Sequence, residues 1–179
     1  TFTLPSDKVV LVLAMDVSLS MRANDMKPNR ISAAKDAAKA FIKDLPPSIK
    51  VGIVAFAGTA TVVQTPTDNH DELLAAIDAF QLQRGTATGS ALLASLNVLL
   101  PDSGVNLEAS LFDPKGAGAA NKGSDKPIGN QDKSDPAISV VAPGSYNNGA
   151  IVLLSDGRRT TGVDPAVAAQ QAADRGVKV

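Results

Sequence analysis

Cysteine and tryptophan are absent from this 179-residue chain, histidine occurs once, and aromatic residues make up only 3% of it. Without cysteine there can be no disulfide, no thiolate metal site and no cysteine nucleophile. His70 alone makes a histidine zinc site or a Ser-His-Asp triad hard to build, so any bound metal must rest on oxygen ligands. An excess of one charge is also lacking: 17 Lys+Arg face 18 Asp+Glu, a net charge of −1. With no run of basic residues either, neither nucleic acid nor an anionic membrane surface is an expected partner. No stretch approaches the roughly 18–20 apolar residues of a membrane span, and residues 1–8 lack the pattern of a signal peptide. The sequence as it stands therefore predicts a soluble segment without direct membrane contact. Its length and its 44% apolar content fit one globular domain over 1–179.

What is present alternates between two periods. Residues 9–15 form a valine- and leucine-rich run ending in Asp16, as in a strand buried on both faces of a parallel sheet. Pro28-Asn29-Arg30 then opens a helix with Ile31, Ala34, Ala38, Phe41, Ile42 and Leu45 on its apolar face, stopped by Pro46-Pro47. Lys35, Lys39 and Lys43 on the opposite side read as a solvated surface. Residues 50–56 and 59–64 are β-branched runs separated by Ala57-Gly58, which permits only an antiparallel hairpin and puts the second run at a sheet edge. Asp68 or Asn69 caps a helix through Phe80, and a further, strongly apolar helix follows Gly89 from Ser90 to Leu100. His70, just after the cap, reads as a surface residue.

Residues 101–149 hold 12 of the 25 glycines and prolines and no sustained apolar period, which marks a long insertion expected to be partly mobile. Its Gly116-Ala117-Gly118 lacks the preceding strand of a nucleotide loop, and its Asp-rich stretch lacks the ligand alternation of a calcium loop. Order resumes at 150–154, a strand ending in Ser155-Asp156-Gly157. Asp164-Pro165 then caps a helix to Arg175 that ends at Gly176. Residues 177–179 look like the start of another strand, so the expected fold is C-terminally truncated.

Strands alternating with helices give a Rossmann-like α/β three-layer sandwich: a mostly parallel central sheet with one antiparallel edge strand, and ligands beyond the carboxyl ends of the strands. Counting directions puts three loops at that rim and the insertion at the opposite end. The loops carry Asp16-Val17-Ser18-Leu19-Ser20, Gly85-Thr86-Ala87-Thr88-Gly89 and Ser155-Asp156-Gly157. Spacing by two points Asp16, Ser18 and Ser20 toward one locus if the chain stays extended. Hydroxyls and carboxylates suit Mg²⁺, with Mn²⁺ or Ca²⁺ as alternates. Two carboxylates nearly neutralise a divalent ion, and hydroxyl ligands leave it attractive to a further anion, such as a partner's Asp or Glu. Thr88 is a rival to Thr86, but its hydroxyl is better placed to cap the next helix. Asp25 and Arg30 either pair beside the rim or are solvated.

Asp16-x-Ser18-x-Ser20 after an apolar strand, the Gly-Thr loop at Thr86 and Leu-Ser-Asp156-Gly after a later strand together resemble the von Willebrand factor type A domain. That resemblance implies a metal-ion-dependent adhesion site in which Ser18, Ser20 and Thr86 ligate the ion directly and Asp16 and Asp156 act directly or through water. The stretch 21–30, Ala55-Phe56-Ala57-Gly58, Thr65-Pro66-Thr67 and the 84–89 loop resemble bacterial membrane-anchored proteins of the Bat, aerotolerance-associated kind. Kinship with that group implies flanking transmembrane helices, an extracytoplasmic (periplasmic) domain and a link with MoxR-type AAA+ ATPases.

Two other readings compete with a metal-dependent interaction module. Asp16 at the end of a first strand is where an aspartyl phosphatase or phosphotransferase keeps its nucleophile, but Ser18 stands where the general acid would be. A structural docking domain with a vestigial site is disfavoured by the completeness of the five-residue set. The expected protein is therefore not an enzyme.

Overall fold

The computed structural model describes residues 9–101, 141–156 and 161–179. In chain order its elements are β1 (Val10–Asp16), α1 (Arg30–Asp44), β2 (Lys50–Phe56), β3 (Ala60–Thr67), α2 (His70–Asp78), α3 (Thr88–Leu99), β4 (Gly149–Leu154) and α4 (Pro165–Asp174). A short 3-10 turn, Leu19–Arg22, follows β1. The expected insertion lies mostly outside the described residues, as do Gly157 and the Asp-rich stretch.

The sheet has the order β3-β2-β1-β4 among the described residues. β1 pairs in parallel with β2 from Val10↔Lys50 to Asp16↔Phe56, and with β4 from Val10↔Gly149 to Met15↔Leu154. β3 returns antiparallel to β2 at the edge. Lys178 bridges Ala150 in parallel, so the chain after α4 begins to add to the outer side of β4. The mostly parallel α/β sandwich with one antiparallel edge strand is the predicted architecture, with β1 at its centre.

The period of two in β1 divides the core. Val12 and Ala14 join Val54, Phe56 and Ile151 on one face, under α3 and α4. Leu13 and Met15 join Val51 and Ile53 on the other, under Ala38 and Ile42 of α1 and Leu73 and Ile77 of α2. Each fully buried large aliphatic side chain stabilises the fold by roughly 1.5–3 kcal/mol, so the central strand is held firmly from both sides. That rigidity matters because Asp16 is its last residue.

Helix starts follow the capping residues. The Asn29 side chain accepts from Ser32 N at 2.9 Å, Asn69 from Asp71 N at 3.1 Å, and Asp164 from Ala166 N at 2.8 Å with Pro165 beside it. Gly176, at φ +74°, takes the left-handed conformation that ends α4.

Four expectations need correction. Thr88 does not cap α3: the cap position is Ala87, which makes no side-chain bond, and Thr88 and Gly89 are already helical and buried. The edge strand runs on to Thr67, and register shifts against β2 between Val51 and Val54 leave both Val62 and Val63 exposed. Such irregularity breaks simple alternation, and Pro66 is tolerated because the strand is an edge. Lys35 and Lys39 are not free surface charges. Lys35 Nζ donates to the carbonyls of Asp78 and Phe80, and Lys39 pairs with the Asp78 carboxylate, so together they bind the end of α2 to α1. Phe41, expected on the apolar face of α1, is exposed instead.

Gly89 is the second residue of α3, a helical position where alanine is ordinarily better by up to about 1 kcal/mol. A Cβ there would overlap the Val163 carbonyl oxygen. We therefore predict that Gly89→Ala lowers stability by about 1–3 kcal/mol in urea denaturation; a gain would contradict the close approach of this turn to α3.

Candidate metal centre

The parallel strands deliver their carboxyl ends to one side of the sheet, and the predicted site residues lie there. Asp16 closes β1 at 1% exposure. One residue on, Val17 N donates to the Phe56 carbonyl at 2.8 Å, so the chain stays bonded to β2 as it leaves the sheet. Ser18 remains extended, with φ −68° and ψ 159°, and its backbone N–H donates to Asp16 Oδ1 at 2.8 Å. The chain then tightens into the 3-10 turn, anchored by the buried Met21. This turn, rather than a continued extended strand, brings the Ser18 and Ser20 hydroxyls to 2.8 Å from each other.

The second loop is fastened by its backbone. Gln83 N donates to Val17 O at 2.8 Å, Gly58 N to Arg84 O at 2.9 Å, and Ala87 N to Ala57 O at 2.6 Å. Gly85 takes φ +85°, and a Cβ on it would lie 2.8 Å from Gly58 Cα. Glycine at both positions thus allows the loop to touch the β2–β3 hairpin. Thr86, 3% exposed, is carried between these anchors, and its carbonyl accepts from Thr161 N at 3.2 Å.

The third loop meets the first. Ser155 Oγ donates to Asp16 Oδ2 at 2.7 Å. Asp156, with a side chain only 6% exposed, accepts from Arg30 Nη1 at 3.0 Å. Arg30 also grips Asp25 through Nε at 2.8 and 3.1 Å and through Nη2 at 2.6 Å, so Asp25 and Arg30 pair rather than stand solvated.

Hydrogen bonds thus join Asp16, Ser18, Ser20 and Ser155 into one string, with Asp156 next along the chain, and backbone bonds bring Thr86 to the same rim. Thr88 is inside α3, and His70 belongs to α2. Two participants were missed as site residues in the sequence. Ser155 was visible only as the neighbour of Asp156, and the reach of Arg30 across to Asp156 has no sequence signal, since the two are 126 residues apart.

Every donor in the set is an oxygen: two carboxylates and three hydroxyls. Among the described residues no group of three or more His, Cys, Asp or Glu could hold a metal ion. A transition-metal site of soft or imidazole ligands is therefore not offered here, whereas mixed hydroxyl and carboxylate oxygens fit a hard divalent ion. The rim continues into a groove of about 450 Å³ whose lining includes Met21, Met26, Ala33, Leu154 and Asp156.

Comparison with known proteins agrees with this fold. A family profile described as the von Willebrand factor type A domain matches residues 11–110. A "UPF0353 protein" from Mycolicibacterium vanbaalenii is 36% identical over 182 residues, covering 98% of this chain and 44% of the relative. Another, from Mycobacterium ulcerans, is 35% identical with the same coverage. The chain thus spans less than half the length of these relatives. The fold resembles the crystal structure of an aerotolerance-related membrane protein from Bacteroides fragilis, with TM-score 0.63, 22% identity, and coverage of 94% of this chain and 64% of that one.

The Asp25–Arg30 pair gives the rim a pH dependence. The hydrogen bond from Arg30 is the main cause that holds the Asp25 carboxyl below its ordinary value of 3.8; desolvation opposes it, and the Arg30 charge and nearby backbone N–H groups add to the lowering. A carboxyl depressed in the folded state stabilises above its unfolded-chain value, and that contribution is lost as pH falls through the folded value. Wild type should therefore lose more stability than Asp25→Asn between pH 7 and about pH 3, measured by thermal melts. Equal losses would contradict the pairing.

Proposed function

Because the chain belongs to the von Willebrand factor type A domain family, we propose that it is a metal-ion-dependent protein-interaction module. Asp16, Ser18, Ser20, Thr86 and Asp156 hold Mg²⁺, and Mn²⁺ or Ca²⁺ can substitute. The bound ion supplies an electron-poor centre to which an Asp or Glu carboxylate of a partner protein adds. The observation that carries this reading is the string of Asp16, Ser18 and Ser20: a carboxylate 1% exposed, the buried Ser18 bonded to it through its amide, and the half-buried Ser20 hydroxyl 2.8 Å from that of Ser18. Burial of a charge with only neutral donors is costly, and a cation at the same rim removes that cost. Ion and partner then bind cooperatively, each raising the other's affinity by the same factor.

The chain's own residues do three things in this scheme. Asp16 and Asp156 supply the two negative charges. Ser18, Ser20 and Thr86 supply neutral oxygens that leave the ion incompletely neutralised and so receptive to a further anion. Ser155 and the Ser18 N–H orient Asp16 by occupying one lone pair on each of its oxygens.

The resemblance to aerotolerance-related proteins supports a Bat-like role: an extracytoplasmic domain of a membrane-anchored protein, linked functionally to a MoxR-type AAA+ ATPase. No helix among the described residues is long and apolar enough to cross a membrane. A phosphatase with Asp16 as nucleophile is disfavoured because that carboxylate is buried and both its oxygens already accept hydrogen bonds.

Calorimetric titration with Mg²⁺ tests the site, and a pull-down with and without chelator tests the interaction. Wild type should bind one equivalent and Thr86→Ala at least about tenfold more weakly, a loss of ~1.4 kcal/mol; partner capture should vanish with chelator. No Mg²⁺ binding by wild type would refute the reading, as would Mg²⁺-dependent hydrolysis of a phosphate ester that is lost in Asp16→Asn.

A further inference from the structure

The two carboxylates of the rim are treated differently. Among the described residues, Asp16 receives its hydrogen bonds from the Ser18 amide and the Ser155 hydroxyl, both neutral. Asp156 receives a full positive charge, the Arg30 guanidinium at 3.0 Å. Arg30 is the first residue of α1, and a cation at a helix N-terminus is opposed by the helix dipole. It has no part in starting the helix either, since the Asn29 side chain performs the capping. What holds it in place is the pair of carboxylates: Asp25 accepts from two of the guanidinium nitrogens, Nε and Nη2, and Asp156 from the third, Nη1. Its charge is permanent, because a guanidinium does not deprotonate in proteins. The Arg30 group is raised above its ordinary value, first by the hydrogen bond to Asp25.

We propose that Arg30 is a tethered competitor for the divalent ion: guanidinium and ion share Asp156, and Asp25 sets how strongly Arg30 holds on. This rests on the metal-binding reading above. A fixed positive charge beside the site repels the ion and occupies Asp156 Oδ2, so it lowers metal affinity. Asp25, 55% exposed and at the outer end of the pair, neutralises part of that charge. Anything that occupies or removes Asp25 turns Arg30 more fully onto Asp156 and loosens the ion. The metal affinity of the rim is thereby adjustable from a surface residue that does not ligate the ion.

The competition predicts effects of opposite sign at the two ends of the pair. Mg²⁺ titration should show Arg30→Gln binding about five- to tenfold more tightly than wild type, the size of removing one unit charge near a partly screened site. Asp25→Asn, an exposed change that leaves the core intact, should bind about two- to threefold more weakly. Unchanged or weaker binding by Arg30→Gln would overturn the proposal and make Arg30 a mere positioner of Asp156; unchanged or tighter binding by Asp25→Asn would overturn it as well. If Arg30→Gln does not fold by circular dichroism, Asp25→Asn carries the test.

A metal-free measurement separates this inference from the one beneath it. With chelator present, Arg30→Gln should lower the melting temperature by several degrees, and the drop should largely disappear in the Asp156→Asn background, where the ion pair between the two is already absent. Absence of that coupling would remove the ionic basis of the competition. The coupling without any Mg²⁺ binding by wild type would instead refute the metal reading, and the competition with it.

Discussion

A charged carboxylate buried at the end of the central strand is the constraint on which the rest of this molecule depends. Asp16 is 1% exposed and accepts from the Ser18 amide at 2.8 Å and the Ser155 hydroxyl at 2.7 Å. These bonds occupy one lone pair on each oxygen and come from neutral donors, and a buried charge without a counter-charge is among the most expensive features a fold can carry. The cost is tolerable only because β1 is fixed by close packing on both faces, by strands on both sides and by the loops that cover its end. A cation at this point resolves the electrostatic problem, and the hydroxyls of Ser18 and Ser20 are already beside it.

The fold supplies that arrangement through topology. Parallel β1 and β4 are neighbours, so the residues after each of them emerge together, and the bond between Ser155 and Asp16 is a direct consequence of that adjacency. The remaining loop has no strand to deliver it and is instead held by backbone bonds to Val17, Ala57 and Gly58. Glycine at 58 and 85 lets the two segments approach more closely than any side chain would permit. The Thr161 amide on the Thr86 carbonyl closes the ring of contacts between the loops.

Much of this was legible in the sequence because it depends on local chemistry. The unbroken apolar run before Asp16 could only be a strand covered on both faces, and Asn69 and Asp164-Pro165 announced helix starts through their own hydrogen-bonding capacity. The convergence of three loops followed from counting strand directions. What could not be read depends on tertiary approach. Thr88 has the chemistry of a cap, yet the cap position falls one residue earlier, at Ala87, whose backbone N–H is bonded to Ala57. The edge strand read over 59–64 runs on to Thr67, and the register shift against β2 leaves both Val62 and Val63 exposed. The lysines of α1 looked like solvated charges, and only the placement of α2 shows what they hold. The bonds of Arg30 to Asp156 and of Ser155 to Asp16 could not be read for the same reason: their partners lie more than 120 residues away.

The most direct test of the central claim is anomalous diffraction from crystals grown with Mn²⁺. The account predicts a single strong peak at bonding distance from the Ser18 and Ser20 hydroxyls, on the side of the rim where Asp16, Thr86 and Asp156 meet. A peak elsewhere on the molecule, or none at this rim under conditions where Mn²⁺ saturates the protein in solution, would contradict it.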